Sequence, residues 1–346
     1  MNTVELRFGQ RNAPSRRPLR RLAIAFACAG LALTGPANFA QAQVKPKIHT
    51  NANVGHPLHT ALVKFSETVK TRTGGKVDFA IFPALQLGGE AEAAEKIRLG
   101  AIEAGTITTS VFSSWAPDVE VLDLPFLFRD DQHLFASYPV LVAKLAPEFE
   151  AKGFHLLGFT ISGARHLIST FPIRTPEDVK GKKMRVIQNP IHIKTWRLLG
   201  ANPTPIAAPE IYNALQTRVI DYFDFAKSFY FSYRFYEVAK YFTELGHIYA
   251  SNAWVVSEAW WKRQDAATQR VIQETANETF GPLNQATLAY EDEGLQKAVQ
   301  AGVGVEVIKI TDKTPWRQKM EPVWAEYIGT NAARRSLVDA ITATKP

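Results

Sequence analysis

Between Lys47 and Thr108 the sequence switches repeatedly between the two-residue apolar period of a strand and the 3.6-residue period of a helix. Lys47-Ile48-His49-Thr50-Asn51 reads as a short strand, and Pro57 to Arg72 as a helix with Leu58, Leu62, Phe65 and Val69 on one face, stopped by Thr73-Gly74-Gly75. Val77 to Phe82 alternates as a second strand. Glu90 to Leu99 forms a second helix ending at Gly100, and Ile102 to Thr108 a third strand. A chain that returns through a helix after each strand pairs its strands in parallel, so this order predicts an α/β domain of mostly parallel strands whose ligands meet the loops at the strand carboxyl ends. Thr108, Thr109 and Ser110 fall at such an end.

The pattern then recurs. Phe154 to Phe159 reads as a strand leading into a turn at Ser162-Gly163-Ala164-Arg165. A strand over 184–187, a helix over 190–199, a helix over Ala207 to Thr217 starting near Pro209 and a strand over Val219 to Phe225 follow. Two similar halves imply a cleft between them. A short return strand, Ala253-Trp254-Val255-Val256, precedes a helical stretch from about Asp265 to Ala301, interrupted near Gly281-Pro282 and long enough, at about 1.5 Å per residue, to cross both halves. Val305 to Ile310 reads as a strand and the segment after Pro315 as helices. The expected division is 43–162 plus 251–290 for one domain and 163–250 plus 291–346 for the other.

Composition excludes several classes. A chain of 346 residues with 46% hydrophobic content can build two cores, and disorder is not expected. Of the net charge of +7, most belongs to residues 1–42, where Arg7, Arg11, Arg16, Arg17, Arg20 and Arg21 face the single acid Glu5. The remainder, about +2, is no footprint for a phosphate backbone, so no nucleic-acid partner is expected. Residues 1–42 read as an export signal: a basic region, an apolar run from Leu22 to Leu33, Gly35-Pro36, then the small-x-small pattern Ala40-Gln41-Ala42. The apolar run is well short of the roughly 20 residues of a spanning helix. Ser15-Arg16-Arg17-Pro18-Leu19 fits a twin-arginine leader, but paired arginines also occur in ordinary ones, and the route stays open. Cys28 is the single cysteine. Ala25-Phe26-Ala27 before it lacks the leucine of a lipoprotein site, so the processed chain is expected in the periplasm without thiol, disulfide or lipid.

One arginine stands out within the second half. In Gly181-Lys182-Lys183-Met184-Arg185-Val186-Ile187-Gln188-Asn189-Pro190, Arg185 is flanked by apolar residues, where an unpaired guanidinium is costly to bury. Its planar fork takes a carboxylate through two parallel hydrogen bonds, so the partner is either an internal acid or a ligand. The aromatic run from Tyr222 to Tyr236 reads mostly as core. Phe225, with Tyr222 or Phe223, lies at the strand end where a ligand would sit, and an aromatic there favours a ligand with an apolar or ring-like body. Asp224 pairs either with a ligand hydroxyl or cation, or with Arg218 or Lys227. His56 and His59 show no metal-ligand spacing, Gly302-Val303-Gly304 lacks the third glycine of a dinucleotide fingerprint, and no nucleophile elbow or phosphate loop occurs. No metal, cofactor or catalytic residue is expected.

The Arg185 stretch through Gly200-Ala201-Asn202-Pro203-Thr204-Pro205, together with Pro209-Glu210-Ile211-Tyr212-Asn213-Ala214-Leu215-Gln216-Thr217 and Phe235-Tyr236-Glu237-Val238-Ala239-Lys240-Tyr241, resembles the solute-binding proteins of tripartite ATP-independent periplasmic (TRAP) transporters, the DctP family. Thr73-Gly74-Gly75-Lys76, Gln86-Leu87-Gly88-Gly89-Glu90 and Leu124-Pro125-Phe126-Leu127-Phe128 extend the likeness over most of the chain. The resemblance implies a two-domain periplasmic-binding-protein fold of type II with a long helix spanning both domains. It also implies a monomer that closes on an organic acid and hands it to the small and large permease subunits, without covalent chemistry. It gives Arg185 the role of carboxylate clamp, Arg165 that of a second arginine reaching the ligand, and Gln188 that of a polar support. Glu90, Thr108 and Ala208 fall at cleft-lining positions. Phe225 stands where relatives carry a carboxylate-binding asparagine, which points to a monocarboxylate with an apolar or ring-like body, and Arg218 stands where glycine is common, a departure that bears on the local turn and not on the fold. The competing expectations are an exported enzyme acting on a carboxylate and the ligand-binding component of a sensor.

Overall fold

The computed structural model describes residues 45–345, so the export leader expected over 1–42, with Cys28, lies outside the described residues. β1 (Lys47–Thr50), β2 (Ala80–Phe82) and β3 (Ala104–Thr108) pair in parallel with β1 central, and α1 (Pro57–Arg72) and α2 (Glu90–Arg98) carry the chain between them. α1 buries the apolar face its spacing predicts. Its first free amide, on Leu58, is capped by the His56 ring. α2 starts after Gly89 with Glu90 and Glu92 in its first turn, where the exposed helix amides favour negative charge.

Two 3-10 turns (Thr109–Ser114 and Pro117–Asp123) lead to α3 (Asp131–Ala151) and then to β4 (Phe154–Ser169). Here the structure corrects the sequence reading: the chain does not turn at Ser162 to Arg165 but continues as a 16-residue strand. Register against β9 shifts between Leu156 and Gly158 and between Ile161 and Gly163, and these two glycines take φ of +154° and +131°. The lapse in apolar alternation marks bulges within a strand, not its end.

The second unit follows the same plan, with β5 (Lys183–Val186), α4 (Pro190–Leu198), β6 (Asn202–Pro205), α5 (Ile211–Gln216) and β7 (Tyr222–Ala226), β5 pairing in parallel with both β6 and β7. Then come α6 (Ser228–Ser232), β8 (Tyr241–Glu244), β9 (Tyr249–Ser257), α7 (Glu258–Trp261), α8 (Ala266–Gln300), β10 (Glu306–Lys309), α9 (Thr314–Met320), α10 (Pro322–Ile328) and α11 (Ala332–Ala343). The sheet order is β2-β1-β3-β9-β4-β7-β5-β6, two parallel trios joined through the antiparallel strands β9 and β4. α8 runs unbroken through Pro282, spanning about 50 Å, and packs on α1 of one half and α6 of the other. Pro282 and Gly281 are exposed, so water can take the carbonyl that the proline leaves free.

The segment 291–346, expected with the second half, divides. Trp316 and Met320 of α9 pack with Met184, Val186 and Trp196. Val323, Tyr327, Leu337 and Ile341 of α10 and α11 instead share a core with Leu122, Leu134 and Leu141. Among the described residues no helix is long and apolar enough to cross a membrane.

Candidate ligand cleft

β5 delivers Arg185 to the wall of a cavity of about 260 Å³, with Glu90, Gln188 and Ala208 around the same space and Val111 and Ile187 as apolar lining. Arg185 is 2% exposed. Its Nε donates to the Ile206 carbonyl at 2.8 Å, while Nη1 is buried without a partner. The internal acid that sequence pattern alone left open is therefore absent from that nitrogen. Burial, with the nearby Arg165 cation, pulls the Arg185 pKa down to about 9. A guanidinium in this state is stabilised by any anion that reaches it.

Arg165 does not sit in a turn. It lies on β4, opposite Ala226 of β7, and is buried. Asp224 takes it through a fork, Nε to Oδ2 at 2.7 Å and Nη2 to Oδ1 at 2.9 Å, and Nη2 also reaches the Asp224 carbonyl at 2.7 Å. This corrects the reading of Asp224, whose partner is neither Arg218 nor Lys227. Lys227 pairs with Asp292 and Glu244. Arg218 takes φ +58°, which explains why glycine suits that position. Burial alone would raise the Asp224 carboxyl, but Arg165 and a hydrogen bond from His247 hold it well below the usual range. Asp224 has 0% exposure, so it serves Arg165 and not the cavity.

Phe225 lies near both arginines. Both guanidinium carbons stand 5.7 Å from its ring centroid, and the ring is 8% exposed. The ring's π electrons are attracted to each cation. Thr108, at the end of β3, is buried and donates its amide to Glu90 Oε1 at 2.7 Å. Asn51 Nδ2 reaches the same oxygen at 3.2 Å. Burial raises the Glu90 carboxyl against the lowering effect of these bonds and of Arg185 and Arg165. Gln188 is exposed at the cavity.

Sequence reasoning missed several contributors. Tyr233, in the aromatic run read as core, donates to the Asn51 carbonyl at 2.7 Å and sits near both Glu90 and Arg185. Behind Asp224, His192 bonds Asp123 at 2.9 Å, and Asp123 also accepts from Ser110 at 2.6 Å and from Asn189 at 3.1 Å. The one available signal was Asn189-Pro190 as a helix start, since Asn189 caps α4. Among the described residues no group of His, Cys, Asp and Glu side chains forms a metal site.

Two α/β units about paired crossing strands, with a buried cation facing a cavity, define the class of two-domain binding proteins. The chain belongs to the DctP family, described as bacterial extracellular solute-binding protein, family 7, which it matches over residues 48–330. A solute-binding protein of Verminephrobacter eiseniae is 32% identical over 316 residues, covering 91% of this chain and 92% of that protein. The 2,3-diketo-L-gulonate-binding periplasmic protein YiaO of Escherichia coli is 30% identical over 299 residues, 85% of this chain and 89% of its own. The fold superposes with a TM-score of 0.83 on a TRAP periplasmic solute-binding protein from Xanthobacter autotrophicus with bound β-D-galacturonate, 30% identical, covering 87% of this chain and 100% of that one.

Proposed function

We propose that this chain is the periplasmic receptor of a TRAP transporter for a monocarboxylate sugar acid, captured unchanged and delivered to the membrane permease. One observation carries the reading: Nη1 of Arg185 is buried, unpartnered and at the wall of a cavity sized for a small organic acid. A ligand carboxylate there accepts from Arg185, with Arg165 held beside it by Asp224. Two charge-assisted hydrogen bonds of roughly 1.5–3 kcal/mol each supply a large part of the about 8 kcal/mol of micromolar binding.

The rest of the cavity bears on the ligand's body. Val111, Ile187 and Ala208 offer an apolar face, while Glu90 and Gln188 offer polar groups at the edge. Phe225 is engaged by two guanidiniums and does not present an open aromatic platform. A ring with one hydroxylated edge and a flat C–H face fits better than an aromatic acid. Galacturonate in the Xanthobacter protein is such a ring, and the diketogulonate of YiaO is an open-chain sugar monocarboxylate.

Calorimetric titration with D-galacturonate, D-glucuronate and benzoate tests the proposal. The sugar acids are expected to bind and to be recovered unchanged, with Arg185→Ala abolishing binding in a folded protein. Benzoate binding equal to the sugar acids, or a variant that loses its cooperative unfolding transition, counts against it.

A further inference from the structure

Resting on the clamp reading above, we propose that ligand binding is coupled to uptake of one proton from solvent by Glu90. The cleft thereby takes a monocarboxylate together with a proton and disfavours a dicarboxylate.

Arg185 and Glu90 line the cavity, and the Arg165–Asp224 pair is buried near them, off the cavity lining. Asp224 neutralises Arg165 through the two-pronged contact at 2.7 and 2.9 Å. Glu90 and Arg185 are the remaining pair, and they interact through space, because the bonds to Glu90 come from Thr108 and Asn51 while Arg185 Nη1 is unpartnered. With Glu90 ionised the four groups already sum to zero. A ligand carboxylate seated on Arg185 adds an anion beside the half-buried Glu90 carboxylate that no further cation of the lining offsets, and uncompensated like charge away from bulk water is disfavoured.

One group must change protonation, and the structure points to which. Asp224 is held well below the usual range by Arg165 and His247. Arg185 gains an anion, which stabilises its charged form. Glu90 is already pushed up by burial, with Arg185 among the groups opposing that rise, and a ligand carboxylate cancels the Arg185 attraction. Tyr233, which lies near Glu90, is a half-buried neutral phenol whose hydroxyl donates to the Asn51 carbonyl. Glu92 and Glu210 lie exposed at the rim, Glu92 paired with Lys96. The neutral acid fits this setting: Oε1 keeps accepting from Thr108 and Asn51 as a carbonyl oxygen, and Oε2 is the atom that takes the proton.

The sign follows. Bound Glu90 holds its proton to a higher pH than free Glu90, so between those two points affinity falls by up to about tenfold for each unit of rising pH. The test is calorimetry of the leader-free chain with D-galacturonate, D-glucuronate, D-erythronate and succinate between about pH 5 and 9, in buffers of different ionisation enthalpy. The expected result is a net uptake approaching one proton per sugar acid within that range. In Glu90→Gln the uptake should vanish and the pH slope flatten. Uptake of zero at every pH, or uptake that persists in Glu90→Gln, overturns the coupling while leaving the clamp standing. Succinate binding as tightly as the sugar acids overturns the selectivity, and failure of all four acids to bind overturns the clamp and the coupling together.

Discussion

At the residue scale the two arginines illustrate how one side chain takes opposite roles by virtue of its neighbours. Asp224 bonds Arg165 directly, whereas Arg185 meets acids only through space, although both arginines are buried. Their replacements should therefore behave oppositely. Asp224→Asn strands Arg165 as a buried cation near Arg185 and should cost about 3–5 kcal/mol in urea denaturation. Arg185→Ala removes a buried cation that no acid bonds directly and that meets Glu90 only through space, and the ligand-free protein should keep or raise its denaturation midpoint. Phe225→Leu removes a ring standing 5.7 Å from each guanidinium, with an expected loss of about 0.5–2 kcal/mol that appears as several-fold weaker ligand binding in calorimetry. The identity of Arg185 as a cation in need of an anion was legible from Met184 and Val186. The pairing of Arg165 with Asp224 was not, because those residues are brought together by the register of β4 against β7 and not by any local pattern.

At the element scale the strands that join the halves carry the main departure from the sequence reading. β4 and β9 were visible only as fragments, Phe154 to Phe159 and Ala253 to Val256, because bulges and polar residues interrupt the alternation that reveals a strand. Gly163 is the sharpest case. Its φ of +131° strains any side chain, and an added Cβ would lie 2.0 Å from Glu291 Oε1 on α8 and 3.3 Å from the Ala226 Cβ on β7. Gly163→Ala should cost more than about 2 kcal/mol in thermal or urea unfolding. Gly302→Ala is a matched control, with φ +74° but nothing within 4 Å, and should show backbone strain alone, about 1 kcal/mol.

At the scale of the whole molecule, the loop after β1 ties one half to the other. Asn53 Nδ2 donates to the Ser232 carbonyl at 2.7 Å, Tyr233 donates to Asn51, and the His56 ring stacks on Phe229 at 4.6 Å. Burial pulls the His56 imidazole from 6.5 down to about 3 and the His49 imidazole to about 4. Both folded values lie below the unfolded one, so the neutral rings' contribution is fully present above pH 6.5 and is lost as pH falls toward about 3. Unfolding free energy should drop by on the order of a few kcal/mol between pH 6.5 and about 4. His56→Asn, which keeps a capping acceptor but cannot titrate, should lower stability overall and give a shallower acid slope. The sequence by itself determined the two α/β units, the long helix and the buried arginine, because apolar period, glycine stops and a charge among aliphatics are local signals. Only the tertiary structure decided that β4 runs on through Arg165, that Asp224 belongs to that arginine, that Phe225 lies near both guanidiniums, and that Glu90 and Arg185 line one cavity. Each of these depends on distant segments meeting in three dimensions, where register and burial, not sequence spacing, set which charges must be answered.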